Sequence, residues 1–299
     1  MKKLYLHIGT GKTGSTSIQK YLEKYSLLEK CKFHFQYDMN GATAIKNINA
    51  FIARMNKVDS TFALYSNEWL CNANAEFIQK LQLKLSKVFD VHIIIYIRRQ
   101  DRFMVSRYQQ ASKNWKMKSE HGPVALPLDY KKNIDYFNTI NNWANAFGKN
   151  KVITRVFDKN KLLGKDVVVD FLDIIGVKRD LTIEPKRVNE SIGFEKNKIG
   201  HLLNMSGLRL EKPKIANAIF RHADSEGKLL PCRQDVLNFY NQYKGSNIKL
   251  NEQYNICPDH QDIFDNDFSF YPEERADLWD EESANQAILN IFKAIKKMN

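Results

Sequence analysis

Cysteine is scarce in this chain. Cys31, Cys71, Cys232 and Cys257 are its four. They form no Cys-x-x-Cys pair, which argues against a structural zinc site or a disulfide framework and for reduced thiols in a reducing compartment. The seven prolines are scattered and no Gly/Ser-rich run occurs, so composition marks no linker. No apolar run approaches the roughly twenty residues of a membrane helix. The apolar stretch behind Lys2 and Lys3 breaks at His7 and Gly9, unlike a signal peptide. From these absences a cytoplasmic protein is expected, or one lying peripherally at the inner membrane surface. Acidic residues are also in deficit, 34 against 46 lysines and arginines, for a net charge of +12. The basic residues are spread along the chain, with only short groups such as Lys131-Lys132 and Lys296-Lys297 and no interleaved aromatics. An anionic small molecule is therefore favoured over nucleic acid as the partner.

The most informative segment is Leu4-Tyr5-Leu6-His7-Ile8-Gly9-Thr10-Gly11-Lys12-Thr13-Gly14-Ser15-Thr16-Ser17, which reads as strand, glycine-rich turn and helix start. Glycines let the backbone turn tightly and approach an anion, while the free N–H groups and dipole of the helix start favour negative charge. Lys12 adds a full charge, and Ser15, Thr16 and Ser17 add hydroxyl donors. A nucleotide-hydrolysing P-loop would need glycine five residues before Gly11. Leu6 stands there, inside an alternating apolar run, so the loop is shorter than a Walker loop.

Further strands are expected near 61–66, 91–97 and 151–156, and helices near 15–29, 73–88, 101–115, 132–147 and 165–176. This alternation predicts an α/β fold with a mainly parallel central sheet flanked by helices, binding its ligand at the carboxyl ends of the strands. Texture changes near Pro185. The expected organisation is a single domain over 1–299, with an α/β cofactor-binding core over 1–185 and a mainly helical region over 186–299. Residues 30–60 and 113–131 read as irregular, acceptor-binding loops.

Lys12-Thr13-Gly14-Ser15-Thr16 resembles the 5′-phosphosulfate loop of sulfotransferases that use 3′-phosphoadenosine 5′-phosphosulfate (PAPS). A second segment agrees with it. The apolar run His92–Ile97 ends in Arg98, and Ser106 follows eight positions on, the spacing with which that family holds the 3′-phosphate. Arg99-Gln100-Asp101 and Arg187-Val188-Asn189-Glu190-Ser191 are similar to segments of bacterial sulfotransferase-like proteins of surface-polysaccharide biosynthesis. The resemblance covers residues 1 to about 205. It implies a three-layer, P-loop-like fold and a cytoplasmic bacterial enzyme that moves a sulfuryl group from PAPS to a carbohydrate hydroxyl, releasing 3′-phosphoadenosine 5′-phosphate and requiring no metal. The acceptor would be a polysaccharide, lipopolysaccharide or glycolipid, and the basic surface suits an anionic or lipid-linked one.

Under the resemblance the cofactor is bound by Gly11, Lys12, Thr13, Gly14, Ser15, Thr16, Ser17, Arg98 and Ser106, with Arg187 reaching the adenosine end or 3′-phosphate. Lys12 also serves catalysis, by stabilising developing charge. Glu68, in the Ser66-Asn67-Glu68 segment behind the second expected strand, is the candidate base; a partly desolvated glutamate beside Trp69 suits that role. Its alternative role is to charge the first turn of a helix. His34 and His121 are the rival bases. Two other readings stay open: a P-loop small-molecule kinase using ATP and Mg²⁺, and a nucleotide- or glycan-binding protein without turnover.

Overall fold

A computed structural model describes residues 1–28, 31–38, 45, 47–56, 60–113, 134–183, 192–224, 226–274, 276 and 278–297. Contacts divide the chain into two compact units, each assembled from three segments. The first comprises Met1–Arg99, Lys131–Val188 and Tyr243–Asp265; the second comprises Gln100–Tyr130, Asn189–Gln242 and Asn266–Asn299.

The first unit is built on a five-stranded, wholly parallel sheet: β1 (Lys2–His7), β2 (Phe33–Tyr37), β3 (Phe62–Ser66), β4 (Phe89–Ile97) and β5 (Val152–Val156), in the order β2-β3-β1-β4-β5. The expected α/β architecture is thus observed. β1 and β4 are the central strands, and Leu4, Leu6 and Ile93–Ile97 are fully buried, as both faces of a parallel sheet must be. One face is covered by α1 (Ser15–Tyr25) and α6 (Val167–Ile174). Tyr5, Leu64, Ile94 and Tyr96 pack there against Ile18, Leu22, Phe171 and Leu172. The other helices of the unit that touch the sheet or one another include α2 (Ile48–Met55), α3 (Ala75–Leu85) and α5 (Tyr136–Phe147), with the Phe51 ring of α2 edge-on to Tyr65 of β3.

The strand order determines where a ligand can sit. From β1 the chain turns towards β3 and β2, and from β4 it turns towards β5, so the topology switches between β1 and β4. In open parallel sheets the segments behind two such strands diverge and leave a crevice at their carboxyl ends.

Two expectations need correction. Residues 30–60 are not wholly irregular: Phe33-His34-Phe35-Gln36-Tyr37 is the edge strand β2, and Ile48–Met55 is α2, capped by the Asn47 side chain, which accepts from Ala50 N. Helices also end sooner than expected, α1 at Tyr25 and α6 at Ile174. The expected boundary near 185 lies outside the described residues.

The second unit is helical among its described residues. It contains α4 (Gln100–Lys113), α7 (Phe194–Met205), α8 (Leu208–Glu211), α9 (Pro213–His222) and α11 (Glu281–Lys296). α10 (Arg233–Tyr254) begins in this unit and ends in the first. Its apolar core joins Ile199 and Leu203 of α7, Ala216 and Ile219 of α9, and Ala287 and Ala294 of α11.

Candidate active site

The segment between β1 and α1 is tied to its neighbours residue by residue. Ile8 N donates to Ile94 O, Thr10 N to Tyr96 O, and Tyr96 N returns a bond to Gly9 O, so the loop extends the β1–β4 ladder past the end of β1. Thr10 is the pivot. Its Oγ1 also donates to Tyr96 O, and its own carbonyl accepts from Thr13 Oγ1 at 2.5 Å and Ser15 Oγ at 3.2 Å. The buried hydroxyls of Thr13 and Ser15 are therefore turned inward to shape the loop. Ser15 was expected to offer its hydroxyl to a ligand; its proton is committed to Thr10 O instead.

Gly14 closes the turn at φ +81° as the N-cap of α1. A Cβ there would lie 2.8 Å from Val167 Cγ1 and 3.1 Å from Phe157 Cε2, so only glycine fits. Lys12 is left-handed as well, at φ +63°. A lysine held in this sparsely populated region within a phosphate-type loop is the kind of outlier that marks a functional segment. The α1 N-terminus has no side-chain cap and no acidic residue in its first turn. The amide N–H groups of Gly14, Ser15 and Thr16 donate to no protein acceptor among the described residues, nor do the hydroxyls of Thr16 and Ser17. Free donors, a helix dipole and Lys12 together make a cradle for an anion.

Two residues from other strands converge on this loop. Arg98 leaves the end of β4, and its Nη1 donates to Lys12 O at 3.0 Å, with the guanidinium 5.5 Å from the centroid of Phe157. Tyr136 of α5 fixes the Arg98 backbone by donating to its carbonyl at 2.6 Å. Arg99, its neighbour, turns elsewhere: it is buried and paired with Asp265 at 2.5 Å. Of two adjacent arginines, one braces the loop and the other serves a distant ion pair.

Glu68 is the second. Asn67 N donates to His7 O, and Cys71 N donates to Ile8 O, which lays the 3-10 turn Glu68–Asn72 directly on the loop. The Asn67 side chain caps that turn, accepting from Trp69 N at 2.9 Å. The approach is so close that a Cβ on Gly9 would lie 2.9 Å from Glu68 Cα, and one on Gly11 would lie 3.6 Å from Glu68 Oε2. Glu68 thus occupies the first turn of a short helix and also brings its carboxylate beside the anion cradle. Trp69 beside it is 46 % exposed. Cys71 is buried against the same turn, and burial, with the nearby Glu68 charge second, pushes its thiol up to about 12.

The remaining sequence candidates fall as follows. His34 lies on β2 in register with Ala63, three residues before the strand end at Tyr37, so it is about 10 Å short of the carboxyl edge where the loop lies. It is on a strand, not in the loop where it was expected, and it is not brought to Glu68 and Lys12. Ser106 is half-buried on the second turn of α4, in the second unit. His121 and Arg187 lie outside the described residues.

Beneath the loop is a buried polar layer that the sequence did not announce. Tyr96 Oη donates to Asp170 Oδ2 at 2.6 Å, Asp170 Oδ1 accepts from Leu163 N, and Arg155 Nε is 3.5 Å from Asp170 Oδ2. His7 Nδ1 and Ser66 Oγ are bonded at 2.8 Å, with Gln19 Nε2 donating to the same hydroxyl. Burial lowers the His7 pKa to about 3, so its imidazole is neutral and part of the scaffold. Thr10, Tyr96 and Asp170 hold the cradle in shape; the one signal for them was Thr10, a polar residue between two glycines.

No family model matches the chain. A protein of Archaeoglobus fulgidus described as "Uncharacterized protein" is 28% identical over 204 residues, 64% of this chain and 53% of that protein. The chain therefore spans about half the length of that relative. Among solved structures, a sulfotransferase from Alicyclobacillus acidocaldarius aligns with a TM-score of 0.44 at 13% identity, covering 85% of this chain and 96% of that chain.

Proposed function

We propose that the protein is a sulfotransferase that moves the sulfuryl group of PAPS to a hydroxyl of a carbohydrate acceptor. The observation that carries this reading is the short loop between β1 and α1: free amide donors of Gly14, Ser15 and Thr16 and the Lys12 charge, with the Glu68 carboxylate packed against Gly11. An anion cradle alone would suit any phosphate ester. A carboxylate lodged beside it repels a bound anion, and its presence makes chemical sense if it accepts the proton of an attacking hydroxyl.

In the reaction the acceptor oxygen forms a bond to sulfur as the bond between sulfur and the 5′-phosphate oxygen breaks. The hydroxyl proton passes to Glu68, and the electron pair of the broken bond stays on the phosphate of 3′-phosphoadenosine 5′-phosphate. Lys12 and the loop N–H groups stabilise the charge that grows there. Arg98 holds the loop through Lys12 O and lies at the strand end where the family resemblance assigns a 3′-phosphate ligand. Thr16 and Ser17, rather than Ser15, offer hydroxyls to the donor. Arg187 remains the candidate for the adenosine end. Leu6, buried in β1, leaves the loop without the first glycine of a Walker motif, which disfavours an ATP-dependent kinase.

The test is transfer of labelled sulfate from PAPS to a panel of bacterial polysaccharides, lipopolysaccharides and glycolipids, run beside the Lys12→Ala variant. Acceptor-dependent incorporation lost in the variant supports the assignment. No incorporation with any acceptor, together with turnover of ATP and Mg²⁺, would replace it with the kinase.

A further inference from the structure

The second unit contains a buried cationic cluster that plays no part in the chemistry proposed for the loop. Arg209 of α8 is 3% exposed, and its guanidinium lies 4.5 Å from the centroid of the Phe220 ring of α9. Lys196 of α7 faces the same ring at 5.6 Å, which puts the two cations within about 10 Å of each other. Phe220 in turn abuts Gly200, where a Cβ would meet its Cε2 at 3.0 Å. The next residue, His201, is 4% exposed and stacked on Tyr108 of α4 with ring centroids 3.9 Å apart. Lys198, one turn before it, is 3% exposed.

Two of these groups lack what burial normally demands. Arg209 has no carboxylate partner among the described residues, and its buried Nε donates to nothing. Neither ring nitrogen of His201 makes a well-formed hydrogen bond. Buried charges are ordinarily paired and buried polar atoms ordinarily bonded. Burial lowers the Arg209 pKa from its usual value. It also takes His201 to about 4, against the Tyr108 backbone, whose hydrogen bond acts the other way, and with smaller downward pushes from the Lys198 and Arg209 charges. At neutral pH His201 therefore presents one N–H and one lone pair.

A small oxyanion would satisfy both Arg209 and His201. It would take the guanidinium fork of Arg209 and accept the His201 N–H against an aromatic wall. We propose that Arg209 and His201, backed by Phe220 and Lys198, form a second oxyanion site, which takes a sulfate, phosphate or carboxylate group whether free or as part of a larger acidic molecule. This site does not depend on what the glycine-rich loop binds.

The experiment is calorimetric titration of the full chain carrying Lys12→Ala, which removes the loop lysine, with sulfate, phosphate and glucuronate at ionic strength matched by chloride. Saturable one-site binding of at least one anion is expected. Arg209→Met should weaken it by roughly tenfold or more, the loss of a charged hydrogen bond. Without anion the same variant should melt no lower than its parent, because it removes a buried charge that has no carboxylate partner and leaves an apolar side chain against the Phe220 ring. A merely structural arginine behaves oppositely, with a lower melting point and unchanged binding. Should Arg209→Met fail to fold, Arg209→Lys keeps the charge and loses the fork, and binding equal to the parent's would overturn the proposal. So would the absence of saturable binding with all three anions. Preference for glucuronate over the inorganic ions would point to an acidic saccharide as the source, and the reverse to a free anion or an ester.

Discussion

Gly14→Ala is the sharpest test of how the loop is built. The substitution places a methyl group at φ +81°, where an L-residue costs about 1–2 kcal/mol, and drives it to 2.8 Å from Val167 Cγ1 and 3.1 Å from Phe157 Cε2. Overpacking of that kind adds about 1–3 kcal/mol. A total near 3 kcal/mol is expected, which lowers the melting temperature of a domain of this size by about 6–12 °C. Urea unfolding gives the free energy, and the double variant Gly14→Ala/Val167→Ala separates the two contributions. Trimming Val167 relieves the overlap and leaves the backbone cost, so the pair should be non-additive by about 1 kcal/mol. Gly11→Ala is the control. Its Cβ would meet Glu68 Oε2 at an ordinary 3.6 Å with no left-handed backbone to accommodate, so it should change stability by no more than about 0.5 kcal/mol. If Gly14→Ala costs less than about 1 kcal/mol, or no more than Gly11→Ala, then Gly14 is neither left-handed nor crowded in the folded protein.

Three further outcomes follow from the same geometry. Glu68→Gln should leave affinity for 3′-phosphoadenosine 5′-phosphate nearly intact and depress the transfer rate about a hundredfold or more, measured by single-turnover transfer; an unchanged rate removes Glu68 from the mechanism. Tyr96→Phe takes the hydroxyl from buried Asp170 and should cost about 1–3 kcal/mol in urea unfolding while loosening the loop that hangs on Tyr96 O. Asp90, bonded to Lys151 and His92, has its pKa lowered from 3.8 to about 2, first by the Lys151 bond and then by the His92 bond. Its contribution is present above pH 3.8 and lost as pH falls through about 2. Asp90→Asn should therefore destabilise the protein by about 1 kcal/mol at pH 7, after allowance for screening, and make no difference below pH 2.

The parts of the fold that the sequence revealed are those where one physical signal dominates. β4 ends in the apolar, largely β-branched run Ile93–Ile97, which is buried on both faces, and β1 with its loop pairs apolar alternation with three glycines. β2 escaped because His34 and Gln36 interrupt its apolar run, although Phe33, Phe35 and Tyr37 keep the period of two that a half-covered edge strand shows. α2 is only eight residues long, too short for periodicity to stand out. Glu68 stands behind an expected strand in the sequence, and in the structure it follows β3 and lies against Gly9 and Gly11 of the loop behind β1. The division of labour between Arg98 and Arg99 could not be read, since it depends on Asp265, far away in the chain. The inward turn of Thr13 and Ser15 was equally hidden, because it is set by the direction of the Thr10 carbonyl and not by residue type.

The central claim is that the loop and Lys12 bind the donor nucleotide of sulfuryl transfer. It is tested most directly by the melting temperature of the full chain with 3′-phosphoadenosine 5′-phosphate, with ATP and Mg²⁺, and with AMP, for the wild type and Lys12→Ala. A ligand that binds only the folded state raises that temperature by mass action. The account predicts stabilisation by the bisphosphate above both other nucleotides, lost in Lys12→Ala. Greater stabilisation by ATP and Mg²⁺, or a bisphosphate effect that survives removal of Lys12, would contradict it.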